Sequence, residues 1–145
     1  MISSRLPALV GAGLLLLSGA FVSAQQAPSV PAGPLVGDAQ QGRYLVENVA
    51  QCAECHSSRD QQGEILPNTR FLGGPIPFAP AWPNNWAIRA PRIKGLTGYT
   101  DEAAMRLLTG GSVGRDGTAL RRPMPTFHMS PQDAANVIAY LRSLP

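Results

Sequence analysis

The sequence predicts an all-α domain, in which a few helices are joined by long loops rich in proline and glycine. The first observation is a set of clear helix boundary signals, which is strongest near the C-terminus. The second is that no segment alternates apolar and polar residues convincingly, as a half-buried strand would. The third is that 14 prolines and 15 glycines occur in 145 residues, whereas their usual combined share is about 12%. Long helices throughout and a coiled coil are therefore excluded.

Residues 1–24 have the features of a secretory signal peptide. Arg5 precedes an apolar run from Leu6 to Val22, and Val22-Ser23-Ala24 has the small-x-small form of a cleavage site. The run falls short of the roughly 18–20 residues that a membrane span requires. An uncleaved anchor or a buried helix is the alternative. We expect export to the periplasm, a mature chain starting at Gln25, and no membrane span after signal removal.

Residues 25–36 are rich in proline, alanine and glutamine, which is typical of a disordered leader. We expect one domain over residues 37–145, because a chain of this size builds a single core. Its first helix is predicted to start at Gly37-Asp38, with Asp38 as the cap or as an acidic residue of the first turn, and to run through Val49 toward Cys52.

The loop between Ser57 and Pro91 carries prolines at a spacing that no α-helix tolerates. Irregular segments of this length are uncommon in a compact domain unless something functional orders them. A large bound ligand would do so.

Two further helices are predicted in the C-terminal half. Thr100 can cap the second, which the pair Gly110-Gly111 ends. Ser130 caps the last helix, Pro131 takes its first position, and Asp133 completes a capping-box pattern. Apolar residues recur there at helical spacing and predict one buried stripe: Ala134, Val137, Ile138, Leu141 and Leu144.

Charge excludes a nucleic-acid-binding protein, because the basic residues form no cluster and Lys94 is the one lysine. The distribution is nevertheless uneven. Residues 38–64 contain five acidic residues and two arginines, whereas residues 65–145 contain nine basic and four acidic residues. Such asymmetry is either an ordinary solvated surface or a docking face for a partner.

Cys52-Ala53-Glu54-Cys55-His56 has the C-x-x-C-H form of a covalent haem c attachment site. Two thiols on one turn can reach the two vinyl groups of a haem, and the adjacent imidazole can bind the iron. Three alternatives compete. A zinc site needs four ligands, a dithiol redox motif needs a thioredoxin-like context, and a disulfide closing so short a loop would stabilise little.

A second iron ligand must come from Met105, Met124, Met129 or His128. Met105 falls within the predicted second helix, where core packing is its expected role. Met129 and His128 precede the last helix with little backbone restraint. Met124 lies between two prolines, which should hold the backbone extended and the sulfur in place. We therefore favour Met124, and the other three stay open.

The order of these elements resembles class I monohaem cytochrome c. The strongest parts of the resemblance are the C-x-x-C-H motif with the helix before it, and Met124-Pro125-Thr126-Phe127 with the helix after it. The resemblance covers about Gly37 to Pro145. It is closest to exported bacterial domains, including those that serve as cytochrome subunits of alcohol and sugar dehydrogenases.

This resemblance implies a cytochrome c fold around one haem, carried by Cys52 and Cys55 and bound at the iron by His56 and Met124. It also implies that the carbonyl of Pro91 accepts the imidazole N–H and so fixes the ring.

Four other residues, Arg92, Gly42, Trp82 and Trp86, either follow or depart from the pattern of the family that the sequence resembles. Arg92 stands where the family usually has asparagine, which puts the hydrogen bonding of that turn in doubt. Gly42 takes the place of the small residue that lets the first helix cross the last, here against Tyr140 and Leu141. Trp82 and Trp86 lie in a loop longer than that of compact family members, where either haem contact or ordinary packing is open.

A haem with histidine and methionine ligands has no open position for a substrate, so the sequence predicts an electron carrier and not an enzyme. The expected partners are redox proteins, with a dehydrogenase as donor and an oxidase or another cytochrome as acceptor. The alternatives are a haem subunit bound to a periplasmic dehydrogenase, a haem sensor or peroxidase-like protein lacking the Met124 bond, and an exported zinc-binding module.

Overall fold

The computed structural model describes residues 35–145, so the predicted signal peptide and most of the predicted leader lie outside the described residues. Three α-helices occur in this range: α1, Ala39–Tyr44; α2, Asp101–Leu108; and α3, Pro131–Ser143. The strands are β1, Gly74–Pro75, and β2, Arg89–Ala90, which pair antiparallel. The all-α prediction is confirmed, and the two strands it did not include are too short to show an alternating pattern.

Helix α1 begins at the predicted cap. The Asp38 carboxylate accepts hydrogen bonds from the backbone N–H groups of Gln40 at 2.8 Å and Gln41 at 3.2 Å. The helix then widens into a π-helical turn, Leu45–Val49. The helical segment reaches Val49, as predicted, and stops short of the cysteines, because Gln51 adopts a left-handed conformation with φ of 49° and redirects the chain.

Gly42 allows α1 to lie directly against α3. A Cβ atom at this position would lie 1.9 Å from the carbonyl oxygen of Asn136 and 2.9 Å from the Cβ of Tyr140. The predicted contact with Tyr140 is therefore confirmed, whereas Asn136 takes the place expected for Leu141. Asn136 is itself buried, and its side-chain oxygen accepts the backbone N–H of Asp38 at 2.8 Å. Helix α1 is thus joined to α3 by a close backbone approach and a partly buried hydrogen bond.

The caps of α2 and α3 are those that the sequence predicts. The hydroxyl of Thr100 accepts the N–H of Ala103 at 3.2 Å, and that of Ser130 accepts the N–H of Asp133 at 3.1 Å. Four residues of the predicted α3 stripe are buried, namely Ala134, Val137, Ile138 and Leu141. The fifth, Leu144, is half-buried. Packing and capping therefore agree on the position of α3.

The proline-rich loop contains no α-helix, as predicted. It holds one 3₁₀ turn, Pro67–Thr69, and the short hairpin in which Gly74 pairs with Ala90 and Pro75 with Arg89. Across residues 35–145, none of the helices combines the length and the apolar character that crossing a bilayer would take.

Candidate functional site

The five residues predicted to form the site line one cavity of about 360 Å³: Cys52, Cys55, His56, Pro91 and Met124. They come from three separate stretches of the chain, which are the turn after α1, the end of the proline-rich loop, and the segment before α3. The fold therefore brings together residues that are far apart in sequence.

The two cysteines lie on a single 3₁₀ turn, Cys52–Glu54, which the N–H of Cys55 closes by donating to the carbonyl of Cys52. Both thiols are free. Burial raises the pKa of Cys52 to about 11. Burial, and then the nearby Glu54 carboxylate, also raise the pKa of Cys55. Both side chains are therefore neutral thiols at pH 7, which suits an apolar cavity.

The His56 imidazole is buried and oriented by one hydrogen bond. Its Nδ1 lies 2.7 Å from the carbonyl oxygen of Pro91, to which it donates because a carbonyl can only accept. Burial lowers the pKa of His56, and the bond to Pro91 opposes that effect in part. The ring is therefore neutral, with its proton on Nδ1, and Nε2 is left as the nitrogen able to bind a metal.

Arg92 does not disturb this turn, although it departs from the family's usual asparagine. Its side chain is exposed, and its Nε donates to the carbonyl of Lys94 at 3.0 Å. The Pro91 carbonyl is thereby left to His56.

Met124 is half-buried in the cavity wall, between Pro123 and Pro125, which also line it. The prediction of an extended backbone is wrong, because the chain turns just before Met124. The turn lets the carbonyl of Arg122 accept the N–H of Ala87 at 2.7 Å.

The other three ligand candidates lie elsewhere. Met105 and Met129 pack against the hydrophobic core, and His128 is exposed. None of them is among the cavity-lining residues. The cavity thus brings one thioether, that of Met124, into the same space as the His56 imidazole.

Most of the remaining wall is apolar and is contributed by all parts of the domain. It includes Ile93, Leu96, Leu107, Leu108, Phe127 and Leu141. A mostly apolar cavity with a few convergent polar groups is typical of a site for a small molecule or a cofactor.

Three arginines in the cavity wall were not identified from the sequence: Arg89, Arg115 and Arg121. Asp116 accompanies them. Arg115 is held by donating from Nη1 to the carbonyl of Thr97 at 3.0 Å. The surplus of basic residues after residue 64 indicated a positive half of the domain, but no sequence pattern indicated which arginines would meet at the cavity.

Neither tryptophan lines this cavity. Trp82 is 66% exposed. Trp86 lines a neighbouring cavity of about 290 Å³ within the proline-rich loop, together with Phe78 and Ile88, and the two cavities share Ile76 and Ala87 in their walls. Of the two roles left open by the sequence, the structure therefore favours loop packing for Trp86, and it shows Trp82 mostly in solvent.

Comparison with known proteins gives one family. Residues 39–145 match the family model described as Cytochrome c, which is nearly the whole of the described range. No protein of curated function matches the chain. The matched residues include the C-x-x-C-H turn, the proline-rich loop and the segment that carries Met124.

Proposed function

The chain belongs to the cytochrome c family, and from this premise we propose that it is a periplasmic one-electron carrier. Proteins of this family hold a haem covalently and pass electrons. We assign haem attachment to Cys52 and Cys55, and iron binding to His56 and Met124. The observation that carries the proposal is that all four side chains line one apolar cavity.

The residues present fit a haem. The thiols are protonated and the imidazole is neutral, and the charged side chains of the wall, the three arginines and Asp116, are exposed. No charged side chain of the wall is therefore buried. Nitrogen and soft sulfur donors together suit a haem iron that cycles between two oxidation states. When bound, the haem supplies the Fe(III)/Fe(II) couple.

Each protein group has a distinct task in such a site. The Pro91 carbonyl holds the His56 ring in one tautomer and orientation, which keeps Nε2 available to the metal. The Met124 thioether is neutral and soft, so it favours the reduced ion more than a second imidazole would. If His56 and Met124 both bind the iron, oxygen and peroxide would have no open position on it.

We further propose that residues 1–24 direct export and that the partners are redox proteins, with a dehydrogenase as electron donor and an oxidase or second cytochrome as acceptor. Arg89, Arg115 and Arg121 at the cavity support partners with acidic contact surfaces, since opposite charge speeds encounter.

The proposal is tested with the exported holoprotein and three methionine variants. The intact mass should exceed the chain from Gln25 by one haem that acid acetone does not extract. Met124→Ala should abolish the weak charge-transfer band at the red end of the visible spectrum of the oxidised protein. It should also lower the potential and let the reduced protein bind carbon monoxide.

Met105→Leu and Met129→Leu are the matched controls, because both residues pack on the core and not in the cavity wall. Both should keep the band. Loss of the band in Met129→Leu but not in Met124→Ala would show that the ligand is assigned five positions too early. Carbon monoxide binding by the reduced wild-type protein at neutral pH would favour the sensor or peroxidase-like alternative.

A further inference from the structure

We propose that the β1–β2 hairpin, residues 73–91, is a positioning element that holds both the His56 turn and the Met124 segment in the wall of the cavity. The inference rests on the ligands proposed above and adds a residue that acts on them, Ala87. Two sets of backbone contacts, one at each end of the hairpin, carry it.

The base of the hairpin holds His56 from two sides. Gly73, just before β1, donates its N–H to the carbonyl of His56 at 2.9 Å. Pro91, just after β2, accepts the imidazole N–H across 2.7 Å. Gly73 has φ of 83°, and a Cβ there would lie 2.6 Å from the carbonyl oxygen of Ala90. Glycine is therefore required where the strands close around the histidine.

The far end of the hairpin holds the Met124 segment. Beyond the two paired strands, Ile76 donates its N–H to the carbonyl of Ile88 at 3.0 Å, which extends the ladder by one step. Ala87, the residue before Ile88, donates its N–H to the carbonyl of Arg122 at 2.7 Å. Arg122 lies two residues before Met124. Ile76 and Ala87 both line the cavity, so this end of the hairpin is itself part of the wall.

The bond from Ala87 is the one backbone hydrogen bond that holds the Met124 segment in the described structure. Among the backbone hydrogen bonds of the described residues outside helices and strands, it alone reaches residues 121–128. The flanking bonds fall at Leu120, which donates to Ser112, and at Met129, which donates to Leu108. A thioether is a weak ligand that stays bound only if its segment is held in place. Loss of this bond should therefore free the Met124 sulfur while the helices remain folded.

Ala87→Pro tests this directly, because proline removes the donor N–H. We expect loss of most of the charge-transfer band, a lower potential, and carbon monoxide binding by the reduced protein. Ala81→Pro is the control, since Ala81 lies exposed in the same loop and its N–H donates no backbone hydrogen bond in the described structure. The proposal is overturned if Ala87→Pro keeps the band and potential of Ala81→Pro.

A second measurement on the wild-type holoprotein covers the case in which Ala87→Pro fails to fold. In amide hydrogen exchange followed by NMR, the N–H of Ala87 should exchange much more slowly than those of Ala79 and Ala81. Equally fast exchange at all three N–H groups would show that the bond from Ala87 does not hold the Met124 segment.

The two proposals fail differently. If Met124→Ala keeps the band, the ligand assignment fails and the positioning role falls with it. If Met124→Ala loses the band and Ala87→Pro keeps it, the hairpin's role alone is wrong.

Discussion

Two regions of this domain are held together in different ways. In the helical frame, which is α1 with the π-helical turn and α3, consecutive residues 134–138 are all buried and Gly42 meets α3 backbone directly. In the loop half, residues 57–91 and 109–129, much apolar surface stays exposed, including 52% of Phe78 and 80% of Ile88. The frame is stabilised by continuous packing within the chain. In the loop half such packing is limited to a few residues, among them Phe71, and hydrogen bonds carry more of the structure.

The difference has a functional consequence, because the loop half supplies much of the cavity wall. Binding to the folded state alone stabilises that state, so a cofactor in the cavity should order the loop half more than the frame.

The largest effect is expected at the helix crossing. Gly42→Val would place a side chain where even a Cβ lies 1.9 Å from the carbonyl oxygen of Asn136. The helices would have to separate, which should cost at least the ~3 kcal/mol at the upper end of overpacking. We expect little folded holoprotein by circular dichroism and haem content.

Gln40→Val is the control for that variant, since Gln40 is exposed on the same helix. It should fold with nearly the wild-type midpoint. If Gly42→Val were equally stable, the crossing would not depend on close backbone contact, and the contrast between the two regions would fail.

An intermediate effect is expected where the frame meets the loop half. The hydroxyl of Tyr140 on α3 donates to the Glu47 carboxylate, and Glu47 also pairs with Arg70 of the loop half at 3.4 Å. The Tyr140 ring packs edge-to-face on Phe71, with centroids 6.4 Å apart. Tyr140→Phe keeps the ring and removes the hydrogen bond, which should cost about 1 kcal/mol in urea unfolding at pH 7.

This substitution should also change the pH dependence of stability. Burial, and then the bond to Glu47, raise the pKa of Tyr140 from 10.0 to about 12. The folded state therefore keeps a proton that the unfolded chain loses, so this contribution is complete below pH 10 and declines as the pH rises through 12. The stability difference between wild type and Tyr140→Phe should shrink over that interval. A constant difference from pH 9 to pH 12 would argue against the bond.

The sequence predicted the frame better than the loop half for a physical reason. Caps at Asp38, Thr100 and Ser130 act on residues two or three positions away, so their effect can be inferred locally. The spacing of the apolar residues in α3 likewise indicates, from the local sequence alone, which face of the helix is buried. The all-α fold and the family therefore follow from short-range patterns and the C-x-x-C-H motif.

Long-range contacts escaped prediction because nothing local encodes them. The bond from Ala87 to Arg122 joins a backbone N–H, which every residue except proline carries, to a backbone carbonyl, which every residue carries, so no side-chain pattern marks it. The turn at Met124 was missed for the same reason, since flanking prolines restrict the backbone but do not say which carbonyl a distant N–H will meet. The arginines of the cavity wall likewise come together only through the fold.

The smallest effect is expected at the tip of the proline-rich loop. Trp82 is 66% exposed and lies outside both cavities, so Trp82→Gln should change the free energy of unfolding by less than ~0.5 kcal/mol, as surface substitutions usually do. Trp86→Gln should cost more, because Trp86 is half-buried and lines the loop cavity. The two variant holoproteins are compared by their urea unfolding midpoints and by their absorbance spectra. A spectrum altered in Trp82→Gln would mean that the indole folds over the cofactor. The ligand would then order more of the loop half than the exposure of its aromatic side chains indicates.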